Sequence, residues 1–273
     1  MLRFMFQPAS AVRFNTVQRF AAGAGLAMTM MFGAAHAAHA AHAAEGATLT
    51  AGSPPSSAPT TFMNVKTQKI EGLMPDVVKE IGKREGFNVS YDAVPFSALI
   101  QSVVSGKIDI IVAGMTPTPK RAEVVDFSQP VTAFGEGIIV KESNKAVYHS
   151  VQDMKGMTVG APTGTDYGDQ LKKLGIFTEV KMYDSPADMT RDVALGRIVA
   201  GFNDYPILKA QEAAGAMAGT RVEDAYVPME KFDIAIAVKK GNSALMAKIN
   251  DALTKMKADG TLDTILKKWH LTS

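Results

Sequence analysis

Ser105-Gly-Lys-Ile-Asp-Ile-Ile-Val-Ala-Gly-Met-Thr-Pro-Thr-Pro-Lys-Arg121 ends one helix, passes through an apolar strand and opens another helix. The chain repeats the move in Leu195-Gly-Arg-Ile-Val-Ala-Gly-Phe-Asn-Asp-Tyr-Pro206. In each copy a glycine stands where a helix commonly ends in a left-handed residue, and a basic residue and an isoleucine follow. The runs Ile108 to Ala113, apolar but for Asp109, and Ile198 to Phe202 are short, as strands buried on both faces are. Each run ends in a polar cluster with a proline suited to the first position of the next helix. The echo predicts two similar α/β lobes with mainly parallel sheets. Ligands of such sheets bind outside the carboxyl ends of the strands, so the tips at 114–121 and 203–206 are expected to face one cleft.

The flanking segments read the same way. Val77, Val78 and Ile81 share one face of a predicted helix from Pro75 to Glu85, closed by Gly86. Ser97 to Ser105 carries Leu99, Ile100 and Val103 as its apolar stripe before Gly106. Asn242 is a predicted cap for a longer helix in which Leu245, Met246, Ile249, Leu253 and Met256 recur at helical spacing up to Gly260. In the second lobe a strand from Met157 to Gly160 leads through Ala161-Pro-Thr-Gly-Thr-Asp166 into a helix ending near Gly175.

Composition limits the class of protein. The 273 residues include no cysteine, 47% are hydrophobic and 21% charged, which excludes disordered, collagenous and disulfide-stapled chains. Arg3, Arg13 and Arg19 precede an apolar run from Phe20 to Ala35, and Ala-His-Ala triplets follow at 35–37, 38–40 and 41–43. That order reads as a signal peptide over residues 1–44, with a small-x-small cleavage region and His36, His39 and His42 as spacers. Without it, 26 basic residues face 27 acidic ones, a net charge of −1 that offers nucleic acid no basic field. With no thiol for a lipid anchor and no later run near the roughly 20 apolar residues of a membrane span, the expected mature protein is soluble and periplasmic.

The polar tips carry the chemistry. Arg121 lies just inside a helix that Thr118 can cap and Pro119 can begin, and its planar fork matches a carboxylate in a way a lysine cannot. Thr116 and Gly114 belong to the same tip. Spacing alone leaves open a surface arginine paired with Glu123 or Asp126. Asp204 is the one acidic residue of its cluster and suits either a ligand ammonium or the cap of the following helix. The Gly160–Asp166 turn lacks the Gly-Lys-Ser/Thr of a phosphate loop, and Asp166 reads as an ordinary cap. No HExxH or GxSxG motif occurs, and only His149 and His270 remain in the mature chain, so neither metal nor cofactor is expected.

Gly114-Met-Thr-Pro-Thr-Pro-Lys-Arg-Ala-Glu-Val-Val-Asp-Phe-Ser128, Ser105-Gly-Lys-Ile-Asp109 and the closing Lys257-Ala-Asp-Gly-Thr-Leu-Asp-Thr-Ile-Leu-Lys-Lys-Trp269 resemble the family 3 solute-binding proteins of amino-acid ABC transporters. The resemblance covers the mature chain in order. It implies the type II periplasmic-binding-protein fold, with two hinges at about 131–135 and 228–232. Lobe 1 would comprise residues 45–131 and 233–273, and lobe 2 residues 136–228. By the same resemblance Arg121 clamps a ligand α-carboxylate with Thr116 and Thr165, Asp204 accepts the α-ammonium, and Phe96 sets a ring against the ligand side chain. The implied partners are an amino-acid-like ligand and an ABC permease of the inner membrane, with the receptor itself a monomer.

The chain also departs from the family. Where its relatives usually read Asp-Pro-x-Tyr-x-Pro-Phe, residues 54–60 read Pro-Pro-Ser-Ser-Ala-Pro-Thr, so Ser57 and Thr60 replace an aromatic pair. Phe62, Phe134 and Tyr205 are the candidates to replace the lost wall, and sequence does not choose among them. Losing the acidic residue at Pro54 weakens the case for a cationic ligand side chain. One rival reading is a dehydratase of cyclic amino or keto acids on the same scaffold, with Glu136 or Asp166 as general acid. Another is a ligand-binding sensor for a membrane receptor.

Overall fold

The computed structural model describes residues 46–271, so the expected signal peptide lies outside the described residues. The chain begins with β1 (Thr48–Ser53), followed by a small antiparallel sheet of β2 (Ser56–Ser57), β3 (Thr61–Asn64) and β4 (Lys69–Glu71). Next come α1 (Leu73–Glu85), β5 (Asn88–Ala93), α2 (Leu99–Val104), β6 (Ile110–Met115), α3 (Pro119–Ala122) and β7 (Val125–Phe127). The long strand β8 (Thr132–Lys141) leads to β9 (Thr158–Pro162), α4 (Asp166–Leu174), β10 (Glu179–Tyr183), α5 (Pro186–Ala194), β11 (Ala200–Asp204), α6 (Tyr205–Ala213) and β12 (Thr220–Val222). A second long strand, β13 (Lys231–Lys239), then leads to α7 (Ser243–Ala258) and α8 (Thr261–Lys268). No described helix is long and apolar enough to cross a membrane.

The principal sheet runs β10-β9-β11-β8-β13-β6-β1-β5, with β12 added to β8 and β7 to β13. β5, β1 and β6 are parallel in one half, as are β10, β9 and β11 in the other. The halves meet where β8 and β13 pair antiparallel, from Thr132 opposite Ile234 to Gly135 opposite Lys231. Beyond that stretch the strands part company. β8 continues along β11 and β12, whereas β13 continues along β6 and β7.

Local rules account for the elements. Gly86 and Gly175 end α1 and α4 at φ 74° and 63°, left-handed values that cost glycine nothing. The Asn242 side chain accepts the Leu245 N–H, as predicted, and α7 runs from Ser243. The predicted helix at 97–105 divides into a 3-10 turn, Phe96–Ala98, and α2, because Ala98 N–H bonds to Pro95 O before the α pattern begins. Ile110 to Ala113 are all fully buried, since helices cover both sides of the strand. α1, α7 and α8 pack on one face of the first half and α2 on the other. In the second half α4 covers one face, and α5 and α6 the other. The closing segment has a structural role, because Trp269 Nε1 and Lys268 Nζ both donate to Asp76 Oδ2 of α1, at 2.8 and 2.7 Å.

Candidate functional site

The tips of β6 and β11 look onto one cavity of about 430 Å³ between the two halves of the sheet. Thr118 accepts the Arg121 N–H at 3.3 Å and Pro119 opens α3, so the arginine springs from a fixed turn. The residue is 9% exposed. Nη1 donates to Thr116 O at 2.6 Å in its own half, and Nη2 to Gly164 O at 2.8 Å in the other. The guanidinium carbon stands 5.8 Å from the centroid of the Phe96 ring, within cation–π reach. Burial lowers the Arg121 pKa, and the charges of Asp166 and Asp169 act against that. The alternative pairing with Glu123 or Asp126 does not form. Asp126 instead holds Lys240, at 2.9 Å.

Gly114 is where the two tips approach. A Cβ there would lie 3.3 Å from Thr60 Cγ2, 3.5 Å from Asp204 Oδ2 and 3.7 Å from Phe134 Cζ. Asp204 occupies the cap position of α6, yet its side chain makes no capping bond and lines the cavity instead. Its carboxyl is pushed up to about 7 by burial and then by Glu136, with Arg121 pulling the other way. Glu136 stands directly opposite it in the β8–β11 ladder, so the two side chains leave the same face. Asn203 fixes the tip by accepting the Asp204 N–H at 2.9 Å and the Tyr167 hydroxyl at 3.2 Å.

The remaining sequence-predicted residues fall into distinct situations. Thr165, not Asp166, caps α4: its Oγ1 accepts the Gly168 N–H at 3.3 Å and donates to Pro162 O at 2.8 Å, with the residue lining the cavity. The chain meets Thr165 first in extended backbone, which leaves Asp166 inside the first helical turn beside Gln170. Thr116, Phe96 and Ser57 line the cavity too. Thr60 is fully buried at its edge, and its hydroxyl has no partner among the described residues. Of the three aromatic candidates, only Phe134 lines this cavity. Phe62 packs edge-on against Trp269, with centroids 5.9 Å apart, and Tyr205 bonds to Asp224.

Glu136, a candidate acid, accepts the Tyr226 hydroxyl at 3.0 Å and the Met229 N–H at 2.7 Å through Oε1, while Oε2 has no partner among the described residues. It borders a separate cavity with Tyr205 and Trp269, outside the cleft. Burial raises its pKa, countered by those hydrogen bonds.

Sequence reasoning missed Phe232 and Ile234 of β13 and the third tip, Tyr183 to Ala187, all of which line the cavity. The third tip lay within reach, since the strand-end rule applied to β6 and β11 holds equally for β10.

Comparison with known proteins agrees with this architecture. Residues 49–272 match the family model described as "Bacterial extracellular solute-binding proteins, family 3". The chain is 28% identical over 228 residues to the L-cystine-binding protein TcyJ of Escherichia coli strain K12, covering 82% of this chain and 83% of the relative. It is 32% identical to the putative amino-acid ABC transporter-binding protein PatH of Vibrio harveyi, covering 77% of this chain and 84% of that one. Among solved structures, an ancestral arginine-binding protein bound to glutamine superposes with a TM-score of 0.75 at 34% identity, over 82% of this chain and 98% of the other.

Proposed function

The chain belongs to the bacterial extracellular solute-binding proteins, family 3, and from that premise we propose that it captures an amino-acid zwitterion between two closing lobes. The observation that carries this reading is one cavity faced by Arg121 from the first half of the sheet and Asp204 from the second. Arg121 takes the α-carboxylate and Asp204 the α-ammonium, with Thr116, Gly114 and Thr165 completing the head site. Phe96 and Phe134 form its apolar walls, and Ser57 and Thr60 the small polar side where an aromatic pair is absent. A ligand bound by both tips favours the state in which they are close, which is what closure requires.

The lobes are residues 45–131 with 233–273, and 136–228, and they turn about the β8–β13 crossing. Residues 1–44 are a signal peptide, the mature protein is a periplasmic monomer, and its partner is an ABC permease of the inner membrane. The protein binds its solute without transforming it, consistent with a Glu136 carboxyl engaged by the Tyr226 hydroxyl and the Met229 N–H.

A thermal-shift screen of the purified protein against α-amino acids tests the proposal. A ligand at 100 times its Kd stabilises the fold by about 2.7 kcal/mol. Stabilisation by an amino acid, lost in Arg121→Ala, is the expected result. Indifference to every α-amino acid overturns the proposal.

A further inference from the structure

The cleft cavity extends beyond its charged clamp. Beside Asp204 its lining takes in residues of α5 and α6. Ile207 and Gln211, one helical turn apart on α6, line it opposite Ala187 and Thr190 of α5. Ile207 is 4% exposed and makes an apolar floor. Thr190 and Gln211 are half-buried above it, and the small residues Ala187 and Ala216 are exposed and leave the mouth open.

The chemistry of this trough is uncharged and hydrogen-bonding. Thr190 Oγ1 donates to Pro186 O at 3.0 Å, which leaves its lone pairs free to accept. The Gln211 side-chain amide bonds to no described residue, so both its donors and its acceptor remain for a guest. Among the described residues Arg121 is the one basic residue lining the cavity, and it belongs to the clamp, so an anionic tail finds no described cationic partner in the trough. Asp184, which also lines the cavity, is exposed, and water and salt screen what it offers a cationic tail.

We infer that the ligand is an α-amino acid with a long uncharged side chain that carries hydrogen-bond donors and acceptors, read by Gln211 and Thr190 in the trough between α5 and α6. The inference rests on the function proposed above, since the head of such a ligand sits in the Arg121–Asp204 clamp. It also gives the absent aromatic pair a counterpart: side-chain recognition moves from the segment at Ser57 and Thr60 to the second half of the molecule.

Titration calorimetry with L-alanine, L-citrulline and L-arginine tests it, because citrulline and arginine share a length and differ in charge. Citrulline is expected to bind about tenfold or more tighter than either of the others. Gln211→Ala, which removes the amide, and Ala187→Trp, which plugs the trough, should each cut the citrulline-to-alanine affinity ratio by about tenfold. Alanine binding in the same variants reports that they are folded. Tightest binding of arginine or alanine overturns the inference, as does a ratio that neither substitution moves. Binding of other α-amino acids but none of these three overturns the tail assignment and leaves the clamp standing. No heat from any α-amino acid removes the clamp as well.

Discussion

The tips of β6 and β11 occupy equivalent positions in their half-sheets, yet they prepare their charges in opposite ways. Arg121 is held by two backbone carbonyls, one from each half, and backed by the Phe96 ring. Asp204 has no such support. Its carboxylate makes no hydrogen bond to a described residue, and a buried glutamate stands opposite it in the ladder. The cationic half of the clamp is therefore held by the protein's own backbone groups, and the anionic half becomes favourable only when an ammonium joins it. A head site built this way recognises the carboxylate by geometry and the amine by charge.

The sharpest way to break the asymmetry is Arg121→Ala. Removing one member of a buried, hydrogen-bonded charge pair costs about 2 to 5 kcal/mol, so amino-acid affinity should fall by roughly 30-fold to several thousand-fold in calorimetry. An unchanged Kd in a folded variant would mean that the arginine serves only to join the two halves.

Acidity acts on the other tip. The Asp204 carboxyl sits near 7, so below that pH it holds a proton that the ligand ammonium must displace. Affinity should drop by up to about tenfold for each pH unit below 7, with protons released on binding and a heat that varies with the buffer's ionisation enthalpy. Asp204→Asn should flatten that profile. A wild-type profile flat from pH 5.5 to 8 would falsify the asymmetry.

The same substitution should have the reverse effect on stability. Because the folded pKa of Asp204 is raised from 3.8, the native protein keeps a proton there that the unfolded chain has lost, and this group's contribution to stability falls as pH climbs from 3.8 to about 7. At pH 8, without ligand, Asp204→Asn should gain about 1 to 2 kcal/mol, seen as a Tm higher by roughly 2 to 8 °C. A lower Tm would show that the carboxylate contributes to the fold.

Phe96→Leu is the mildest test. It keeps apolar volume and removes the ring from Arg121, a loss of about 0.5 to 2 kcal/mol. Affinity should weaken by roughly 2- to 30-fold, with the pH profile unmoved.

The echo around Gly106 and Gly196 made the two half-sheets legible, because helix stops and buried runs are local signals. The Thr118 and Asn242 caps were legible for the same reason, each satisfying an N–H three residues away. The site was readable where chemistry is carried by one residue at a strand end, as with Arg121 and Asp204. It was unreadable where distant segments meet. That Phe134 reaches the cleft while Tyr205 and Phe62 do not depends on the pairing of β8 with β13, across about a hundred residues of chain. That Asn203 Oδ1 takes both the Asp204 N–H and the Tyr167 hydroxyl depends on a contact between residues 36 apart in the chain. The trough between α5 and α6 likewise needs both helices on one face of the sheet, which no single segment encodes.

The position of β13 has a consequence for how the molecule comes into being. It is the last strand in the chain and lies between β8 and β6, near the middle of the sheet. Its residues Ile234, Ile236 and Val238 belong to the core that α1 and α7 complete. A nascent chain shorter than residue 231 therefore cannot close the sheet, however much of each half has been synthesised. Contacts so distant along the chain form slowly, because loop closure comes before any reward from packing. The two halves thus stay unjoined until the last strand is available.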